Sequence, residues 1–488
     1  MEPRVVGSIT LEPVDDYRWR VPRDPQLGMG AEGVVYLSEA MVRSSLMEPE
    51  LRQVANVACL PGLQGPSMAM PDIHFGYGFP IGGVAATDSE AGVISPGGVG
   101  YDINCGVRLL RTDLTRAEIE PVLDRLLHQI SRDVPSGVGS EVRDKLAKTD
   151  LERIAQRGAR WAVERGFGTA ADLEVTEENG ALAGADPAAV SARAVERGLK
   201  QVGTLGSGNH FLEIQAIDEI YDAQAAAAMG LHEPGQITVL IHTGSRGYGY
   251  QICDDSIEMM QRAVVKHRIS LPDRQLACAP VSSSEGTQYL SAMACAANFA
   301  WANRQMIAHR VRGVFERILG QSSDALGMHQ VYDVAHNIAK IEEHPVGGAV
   351  RKLCVHRKGA TRAFAPHTPG VPARYQEIGQ PVLVPGDMGR YSFVLVGTDV
   401  AMWETWGSTC HGAGRLLSRA AAMKLRPGHE VIAHMRDRGV LVVTPNKRGV
   451  AEEQPEAYKD VGDVVDVVHG AGLSTKVVRM RPLGVVKG

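Results

Sequence analysis

The sequence predicts a mixed α+β fold in which β-sheets are surrounded by helices within one large domain, residues 1–488. Helical and strand-like patterns alternate along the chain: Thr115–Ser131 and Glu285–Leu319 have amphipathic helical spacing, whereas Ile237–Ile241 is a short β-type run. Glycine-rich polar segments recur between these patterns and carry complementary chemical groups. This arrangement favours one domain around a central pocket over a string of separate modules.

Further elements follow from local signals. The first predicted helix opens with the capping box Thr115-x-x-Glu118. Short β-type runs recur at Val382–Val384 and Phe393–Val396, and an apolar periodic stretch at Leu416–Lys424 predicts a helix. The polar, Ala/Gly-rich stretch 136–190 lacks chemistry-bearing residues and is predicted to be a surface excursion.

Bulk composition excludes several classes of protein. The 51 basic and 56 acidic side chains give a net charge near −5, so no overall positive field indicates nucleic-acid binding. The seven cysteines are scattered without a C-x-x-C pair, which argues against a disulfide framework or a zinc ribbon. No signal-type segment or apolar run of about 18 residues is evident. We therefore expect a cytoplasmic protein without a membrane partner.

A histidine between polar and glycine residues is the densest local signal, in the segment Ser408–Arg415. Gly412 and Gly414 would let a phosphate approach the backbone, and the predicted helix would supply free amides near His411. A neutral imidazole can attack phosphorus, and Arg415 could offset the developing charge. A helix start with an ordinary surface histidine is the alternative.

A second group of residues is typical of metal ligands. A carboxylate and a thiol stand three residues apart after a glycine-rich run, and three histidines occupy similar settings beside apolar segments. Such a set suffices for one complete metal site or two incomplete ones, and its mixture of donors suits manganese or zinc. An inert buried cysteine and structural histidines are the alternative. The candidate ligands are Asp102, Cys105, His210, His242 and His336.

A basic segment, 351–362, contains no acidic residue. A solvated charged face is the default explanation, but a glycine within it and an arginine after another glycine turn make a local RNA-phosphate track plausible. Aromatic residues are only 5% of the chain, which argues against extensive base stacking. The candidate phosphate contacts are Arg246, Arg357, Lys358 and Arg362.

Several long motifs together resemble those of the RtcB family of RNA ligases. The motifs are MPDIHFGYGFPIGG, GGVGYDINCGVR, GSGNHFLE, HTGSRG, DVAHNIAK, HRKGATR, STCHGAGRLLSR, EAYKDV and PLGVVKG. They occur in the family's order and span nearly the whole chain. The resemblance therefore predicts an RtcB-like fold with a central metal and nucleotide pocket.

The resemblance implies a ligase that uses GTP and two Mn²⁺ ions. Such enzymes join an RNA 2′,3′-cyclic phosphate or 3′-phosphate end to a 5′-hydroxyl end in tRNA splicing or RNA repair, and an archease-type protein is a possible activating partner. His411 matches the catalytic nucleophile that forms a guanylyl-histidine intermediate. The candidate ligands named above match the manganese ligands, with Cys105 as the bridge.

The resemblance also implies nucleotide contacts. Asn209 and Arg415 match contacts to GTP phosphates, whereas Glu213, Tyr458 and Lys487 match contacts to guanosine. The other cofactor-binding candidates are His336, Asn337, Pro385, Asp387, Met388, Ser392, His411, Gly412 and Gly414. Asp387 stands where we expect serine in many relatives; its carboxylate could accept from guanine nitrogens but would repel phosphates.

Two other functions stay open on the residues alone. A two-metal phosphohydrolase or nuclease would need only the Asp/Cys/His set. A non-catalytic RNA-binding protein would need only the basic segment. Neither requires a histidine flanked by glycines, which favours the ligase.

Overall fold

The computed structural model describes residues 2–142 and 146–488. Its strands are β1 (Arg4–Val6), β2 (Ile9–Pro13), β3 (Arg18–Val21), β4 (Gly33–Tyr36), β5 (Leu63–His74), β6 (Ile81–Asp88), β7 (Val93–Ile94), β8 (Gly106–Thr115), β9 (Phe211–Ile220), β10 (Gln236–Thr243), β11 (Ala279–Pro280), β12 (Gln330–Ala335), β13 (Asn337–Val346), β14 (Ala349–Lys358), β15 (Ala360–Arg362), β16 (Pro381–Val384), β17 (Ser392–Gly397), β18 (Ser408–Cys410), β19 (Leu441–Val443) and β20 (Ser474–Lys487).

Helices alternate with these strands along the chain. They are α1 (Glu39–Ser44), α2 (Glu48–Val57), α3 (Arg116–Ile119), α4 (Leu123–Asp133), α5 (Lys148–Arg157), α6 (Ala159–Glu164), α7 (Ala170–Glu174), α8 (Ala192–Gly198), α9 (Ala223–Met229), α10 (Arg246–Lys266), α11 (Ser284–Leu319), α12 (Asp399–Glu404), α13 (Arg419–Leu425), α14 (Gly428–Asp437), α15 (Lys447–Glu452) and α16 (Val461–Gly470). The predicted mixed α+β class is confirmed. Within the described residues, none of these helices has both the length and the apolar character needed to cross a membrane.

Two large sheets organise the fold. The first has the strand order β1-β2-β3-β4-β5-β6-β14-β13, and the second has the order β12-β8-β10-β9-β20-β17-β16, with β19 parallel to β20. The pairs β7–β11 and β15–β18 form two small sheets. His336 is the single residue between β12 of the second sheet and β13 of the first. It therefore lies where the chain passes from one large sheet to the other.

Burial explains the continuous apolar runs of the second sheet. Every residue of β10 is buried, as expected for a strand covered on both faces. On one face, α4 and α11 share a hydrophobic cluster with β9 and β10, which includes Ile130, Ile307, Leu212 and Val239. Such close packing fixes the strand ends from which the site is built.

The predicted long helix agrees with the structure, but the first predicted helix is interrupted. Helix α11 runs from Ser284 to Leu319, and the side chain of Ser283 caps its start. The capping box of Thr115 and Glu118 is also present. However, α3 ends at Ile119 and α4 begins at Leu123, because Pro121 between them cannot donate a backbone hydrogen bond.

The predicted helix at Leu416–Lys424 begins later than expected. Leu416 N and Leu417 N both donate to Ala457 O, at 2.8 and 3.2 Å, and α13 starts only at Arg419. His411 instead follows strand β18. The prediction that His411 lies at the start of a helix is therefore wrong, because tertiary pairing overrides the local periodicity.

The stretch 136–190, predicted as a surface excursion, has a buried inner side where it is described. Leu151, Ile154 and Trp161 of α5 and α6 belong to the same hydrophobic cluster as residues of α10 and α11. Arg312 of α11 also pairs with Asp172, at 2.7 Å. The segment therefore packs against α10 and α11 through both apolar residues and buried polar residues such as Asp172.

Candidate active site

A cavity of about 700 Å³ lies where the two large sheets meet. It is lined by groups from both sheets and from the segment after β18. The predicted site residues along its wall are Asp102, Cys105, Asn209, His242, His336, Asn337, Lys358, Pro385, Asp387, Met388, His411, Gly412, Gly414, Arg415, Tyr458 and Lys487. The structure therefore brings together segments that are far apart in sequence.

Strand register explains why the metal-type residues converge. Gly106, at the start of β8, pairs with Thr243 at the end of β10 and with Ala335 at the end of β12. His242 pairs in turn with Phe211, at the start of β9. Because these strands are antiparallel, their ends meet at one edge of the second sheet. The adjoining residues Cys105, His210, His242 and His336 consequently lie together at that edge.

The ligand-type atoms form two overlapping groups. Cys105 Sγ lies 3.4 Å from Nε2 of His210 and 3.4 Å from Nε2 of His242. The Nε2 atoms of His242 and His336 are 3.4 Å apart, and His210 Nε2 is 2.7 Å from Asp102 Oδ2. Cys105 belongs both to the group with His242 and His336 and to the group with Asp102 and His210.

The protonation states of two histidines and of Asp102 suit cations, whereas burial raises the pKa of the Cys105 thiol, so a cation bound there must displace its proton. Burial lowers the pKa of His242 and of His336 well below the usual value, so both rings are neutral. Although burial alone would raise the pKa of Asp102, the neighbouring His210 lowers it to about 2. Converging lone pairs and an anionic carboxylate fit a centre for divalent cations, with the Cys105 sulfur as the shared ligand.

A buried arginine holds the loop that carries Asp102 and Cys105. Asn104 adopts the left-handed conformation at φ 52°, and its carbonyl and side-chain oxygens each accept a bond of 2.9 Å from the guanidinium group of Arg304. The same guanidinium donates to Thr243 O at 2.9 Å. Arg304 thus fixes the loop relative to the end of β10.

A buried carboxylate orients His411. Strand β18 pairs with β15 through Cys410 and Ala360, which brings His411 to the cavity. Asp72 Oδ2 lies 2.5 Å from His411 Nδ1 and also accepts from His411 N at 2.8 Å. Burial would raise the pKa of Asp72, but the adjacent His411 lowers it below the usual value. Nδ1 therefore holds the proton, and Nε2 keeps its lone pair.

His411 also stands directly beside the metal-type residues. Its ring centroid is 4.9 Å from that of His336. A phosphate bound to cations at this centre would therefore lie close to the imidazole. This combination of an oriented histidine and a two-group metal centre is suited to phosphoryl or nucleotidyl transfer.

Comparison with known proteins agrees with this geometry. The family model described as tRNA-splicing ligase RtcB matches residues 53–488. The chain belongs to the RtcB family. It is 54% identical over 478 residues to the tRNA-splicing ligase RtcB of Archaeoglobus fulgidus, which covers 98% of this chain and 99% of the relative. It is 52% identical to the Thermococcus kodakarensis protein of the same name, over 98% of this chain and 99% of that protein.

Asp72 is a site residue of this RtcB-family chain that the sequence analysis did not single out. It lies within the motif MPDIHFGYGFPIGG, inside a buried stretch of β5. A carboxylate in a buried strand is the signal that could have identified it. Gly414 has φ +73°, and a Cβ there would lie 2.4 Å from Asp72 O. The close approach that this glycine permits is therefore to the protein backbone.

The residues predicted to contact the nucleotide occupy different positions around the cavity. Glu213 and Ser392 are buried behind its wall, and Ser392 Oγ accepts from Gly386 N at 3.3 Å. Arg415 donates to Glu453 and to the hydroxyl of Tyr458, both at 3.0 Å. In this structure its guanidinium group therefore orients Tyr458. A phosphate contact by Arg415 stays a prediction.

The C-terminal strand and the Asp387 loop complete this wall. Lys487 Nζ donates to Gly208 O at 2.5 Å and to His210 O at 3.1 Å, so it is tied to the segment that carries a metal-type histidine. Asp387 is buried, and burial raises its pKa to about 6. Arg390 Nη1 lies 3.1 Å from its carboxylate.

Two of the predicted RNA-phosphate contacts are occupied by other partners. Arg357 is fully buried and forms a bidentate pair with Glu342, at 2.7 and 2.8 Å. Arg362 is also buried and lies 2.9 Å from Glu178. Their assignment to RNA phosphate is corrected for this reason: both guanidinium groups already neutralise carboxylates.

Of the other two predicted phosphate contacts, one lies at the cavity and the other lies beside a metal-type histidine. Lys358 lines it, and burial lowers the pKa of the Lys358 ammonium to about 7. Arg246 Nη1 is 3.4 Å from Nδ1 of His210. Only these two remain candidates for RNA phosphate.

The protonation of buried Glu213 can be tested through the pH dependence of thermal stability. Burial raises the pKa of Glu213 to about 8, and its Oε1 has no hydrogen-bond partner. The folded protein therefore keeps this proton while the unfolded chain loses it, so stability falls as pH rises from about 4.5 to about 8. We expect Glu213→Gln to raise the thermal midpoint more at pH 8 than at pH 5.

Thermal unfolding at the two pH values measures this difference. Each pKa unit corresponds to about 1.4 kcal/mol, so an effect of a few kcal/mol at pH 8 is expected. The exposed Glu233 provides the matched control, Glu233→Gln. An equal shift of the Glu213→Gln midpoint at both pH values would contradict the raised pKa of Glu213 in the folded protein.

Proposed function

We propose that this protein is a GTP- and Mn²⁺-dependent RNA ligase that joins 2′,3′-cyclic phosphate or 3′-phosphate ends to 5′-hydroxyl ends, in tRNA splicing or RNA repair. Relatives that match almost the whole chain are named tRNA-splicing ligases. The observation that carries the proposal is His411, held by buried Asp72 beside a two-group metal centre. An archease-type activating partner stays a prediction.

In the first step, His411 would act as the nucleophile. Asp72 holds the proton on Nδ1, so Nε2 can attack the α-phosphorus of GTP. A nitrogen–phosphorus bond forms as the bond to pyrophosphate breaks. The Asp72 carboxylate stabilises the positive charge that the imidazole gains, as the aspartate does in a serine-protease triad.

The later steps would transfer the guanylate to RNA and then release it. An oxygen of the RNA 3′-phosphate attacks the guanylyl phosphorus, and the bond to His411 breaks. The 5′-hydroxyl oxygen then attacks the RNA 3′-phosphorus, loses its proton and displaces GMP. A cyclic phosphate must first be opened by hydrolysis. Asp102, Cys105, His210, His242 and His336 would hold the manganese ions, which would supply neutralisation of phosphate oxygens and activation of the attacking hydroxyl or water.

Replacement of His411 tests this function. With labelled GTP and manganese, the wild-type protein should form an acid-labile, base-stable guanylyl adduct and join the two RNA ends, whereas His411→Ala should do neither. His128→Ala removes an exposed histidine on α4, whose side chain is 56% accessible, and should behave as wild type.

Other outcomes would favour the other functions. An adduct that persists in His411→Ala would place the nucleophile elsewhere. Metal-dependent release of RNA phosphate by a wild-type protein that forms no adduct would indicate a two-metal phosphohydrolase. Retention of RNA without metal dependence, and with unchanged ends, would indicate a binding protein.

A further inference from the structure

Three tyrosines and an arginine form a continuous stack beside the cavity, which we term the aromatic ladder. The ring of Tyr77 meets that of Tyr101 edge-on at 5.8 Å. Tyr101 stacks on Tyr250 at 4.8 Å with the ring planes 25° apart. The guanidinium carbon of Arg197 lies 5.2 Å from the centroid of Tyr250.

The inner end of the aromatic ladder belongs to the active-site cavity. Tyr77 and Tyr101 line the cavity, and Tyr101 immediately precedes the metal-type residue Asp102. Tyr250 lies near the start of α10, and Ser245, which precedes that helix, donates from its backbone N to Asp102 Oδ1 at 3.0 Å. The ladder therefore runs outward from the metal centre to Tyr250, on α10, and Arg197, on α8.

The outer end of the aromatic ladder is exposed and carries a guanidinium group. Tyr250 is 46% exposed. Arg197 is exposed, and its Nη1 donates to Gln251 Oε1 at 3.0 Å. In the part of the chain that the structure describes, the side-chain hydrogen bond of this guanidinium is to a neutral amide and not to a carboxylate. Aromatic faces with an adjacent free cation are the elements that bind single-stranded nucleic acid without regard to sequence.

The position of the aromatic ladder selects which RNA strand it would hold. In the sealing step GMP leaves from the RNA 3′-phosphorus, and an in-line displacement requires the hydroxyl to approach from the opposite side. His411 lies beside His336, whereas Asp102 belongs to the metal group that lacks His336. Tyr101 directly precedes Asp102 and therefore adjoins the metal group that lacks His336.

We propose that the aromatic ladder binds the unpaired terminal nucleotides of the 5′-hydroxyl RNA strand at its exposed end, with a base against Tyr250 and a phosphate near Arg197. This inference deepens the proposed ligase function and rests on it for the choice of strand. Although only 5% of the residues are aromatic, three of the twelve tyrosines meet here. Base stacking is thus concentrated where the 5′-hydroxyl must be positioned.

The first test measures stacking without chemistry. A 5′-hydroxyl RNA with 2-aminopurine as its first base is titrated with the manganese-loaded full chain. Quenching of the fluorophore is expected with wild type and with Tyr250→Phe, and Tyr250→Ala should weaken binding on the order of tenfold. Tyr221→Ala, at an exposed tyrosine immediately after β9, is the matched control and should leave binding unchanged. Equal binding by wild type and Tyr250→Ala would overturn the proposal.

The second test identifies the strand. An abasic first nucleotide in the 5′-hydroxyl strand should raise the KM of the wild type for that strand on the order of tenfold. The same abasic nucleotide should raise the KM of Tyr250→Ala only slightly, because that variant has already lost the stacking partner. An abasic last nucleotide in the 3′-phosphate strand should affect both proteins equally. A penalty that depends on Tyr250 only in the 3′-phosphate strand would overturn the assignment to the 5′-hydroxyl strand.

Guanylylation separates this inference from the proposed function. Tyr250→Ala should form the His411 adduct at the wild-type rate, because that step uses GTP alone. If wild type forms no adduct, the ligase proposal fails, and the fluorescence result still decides whether the aromatic ladder binds RNA. Slowed adduct formation in Tyr250→Ala would indicate a general structural role and would contradict the proposal.

Discussion

Replacement of Asp72 by asparagine is expected to slow formation of the guanylyl adduct on the order of 10³- to 10⁴-fold, by analogy with the loss of the orienting aspartate in a catalytic triad. The carboxylate now accepts the proton of His411 Nδ1 and leaves Nε2 with its lone pair. An asparagine would keep its carbonyl oxygen toward the backbone amides of His411 and Gly412 but would lack the negative charge that stabilises the imidazolium formed on attack. The imidazole would then keep its position but lose this stabilisation in the transition state.

Single-turnover labelling with GTP measures this effect directly. Manganese content and GTP affinity should change little in Asp72→Asn, because Asp72 belongs to neither metal group. Asp466→Asn, at an aspartate with a side chain 63% accessible on α16, is the matched control. Adduct formation by Asp72→Asn at the wild-type rate would show that the charge of Asp72 does not assist the attack by His411.

The metal-type residues were predictable because each carries a recognisable chemical type next to a strand signal. Cys105 and His242 adjoin the ends of β8 and β10, and the strand-like run before His242 is legible in the sequence. The sequence alone left open whether the set formed one site or two. The strand register of the folded protein shows two groups, because it places Cys105 where it belongs to both.

The orienting carboxylate was not predictable from local patterns, since its partner is remote. Asp72 and His411 are 339 residues apart and meet through two different sheets. A similar limit applies to the basic segment. Arg357 meets Glu342 across the β13–β14 hairpin, and Arg362 meets Glu178 from a separate segment. A run without acidic residues therefore gives no measure of how many carboxylates lie beside it in the fold.

The helix predicted after His411 shows a different kind of error. The residues from Leu416 onward have helical spacing, but Arg415 and Tyr458 form a β-bridge and the next two amides bond to Ala457. The helix α13 therefore begins only after Ser418, whose side chain caps it. The weak local preference for a helix was overridden here by long-range backbone pairing.

The largest effect on metal binding is expected for Cys105→Ser. Cys105 is the one residue shared by both metal groups, so its loss should weaken binding of both ions. A serine hydroxyl is a poorer ligand than a thiolate, because it stays protonated near neutral pH. Loss of a residue that merely orients a ligand typically costs about 10- to 100-fold in affinity. The loss of metal affinity caused by removal of the shared ligand should exceed that range at both sites.

His210→Ala distinguishes the shared ligand from an unshared one. His210 belongs only to the group with Asp102, so this variant should lose one of two bound manganese ions, whereas Cys105→Ser should lose both. Metal content after dialysis at fixed free manganese measures the stoichiometry. Cys278→Ser alters another buried cysteine outside both groups and should retain two ions. Retention of one ion by Cys105→Ser would mean that the thiolate serves a single site, and that the two groups bind independently.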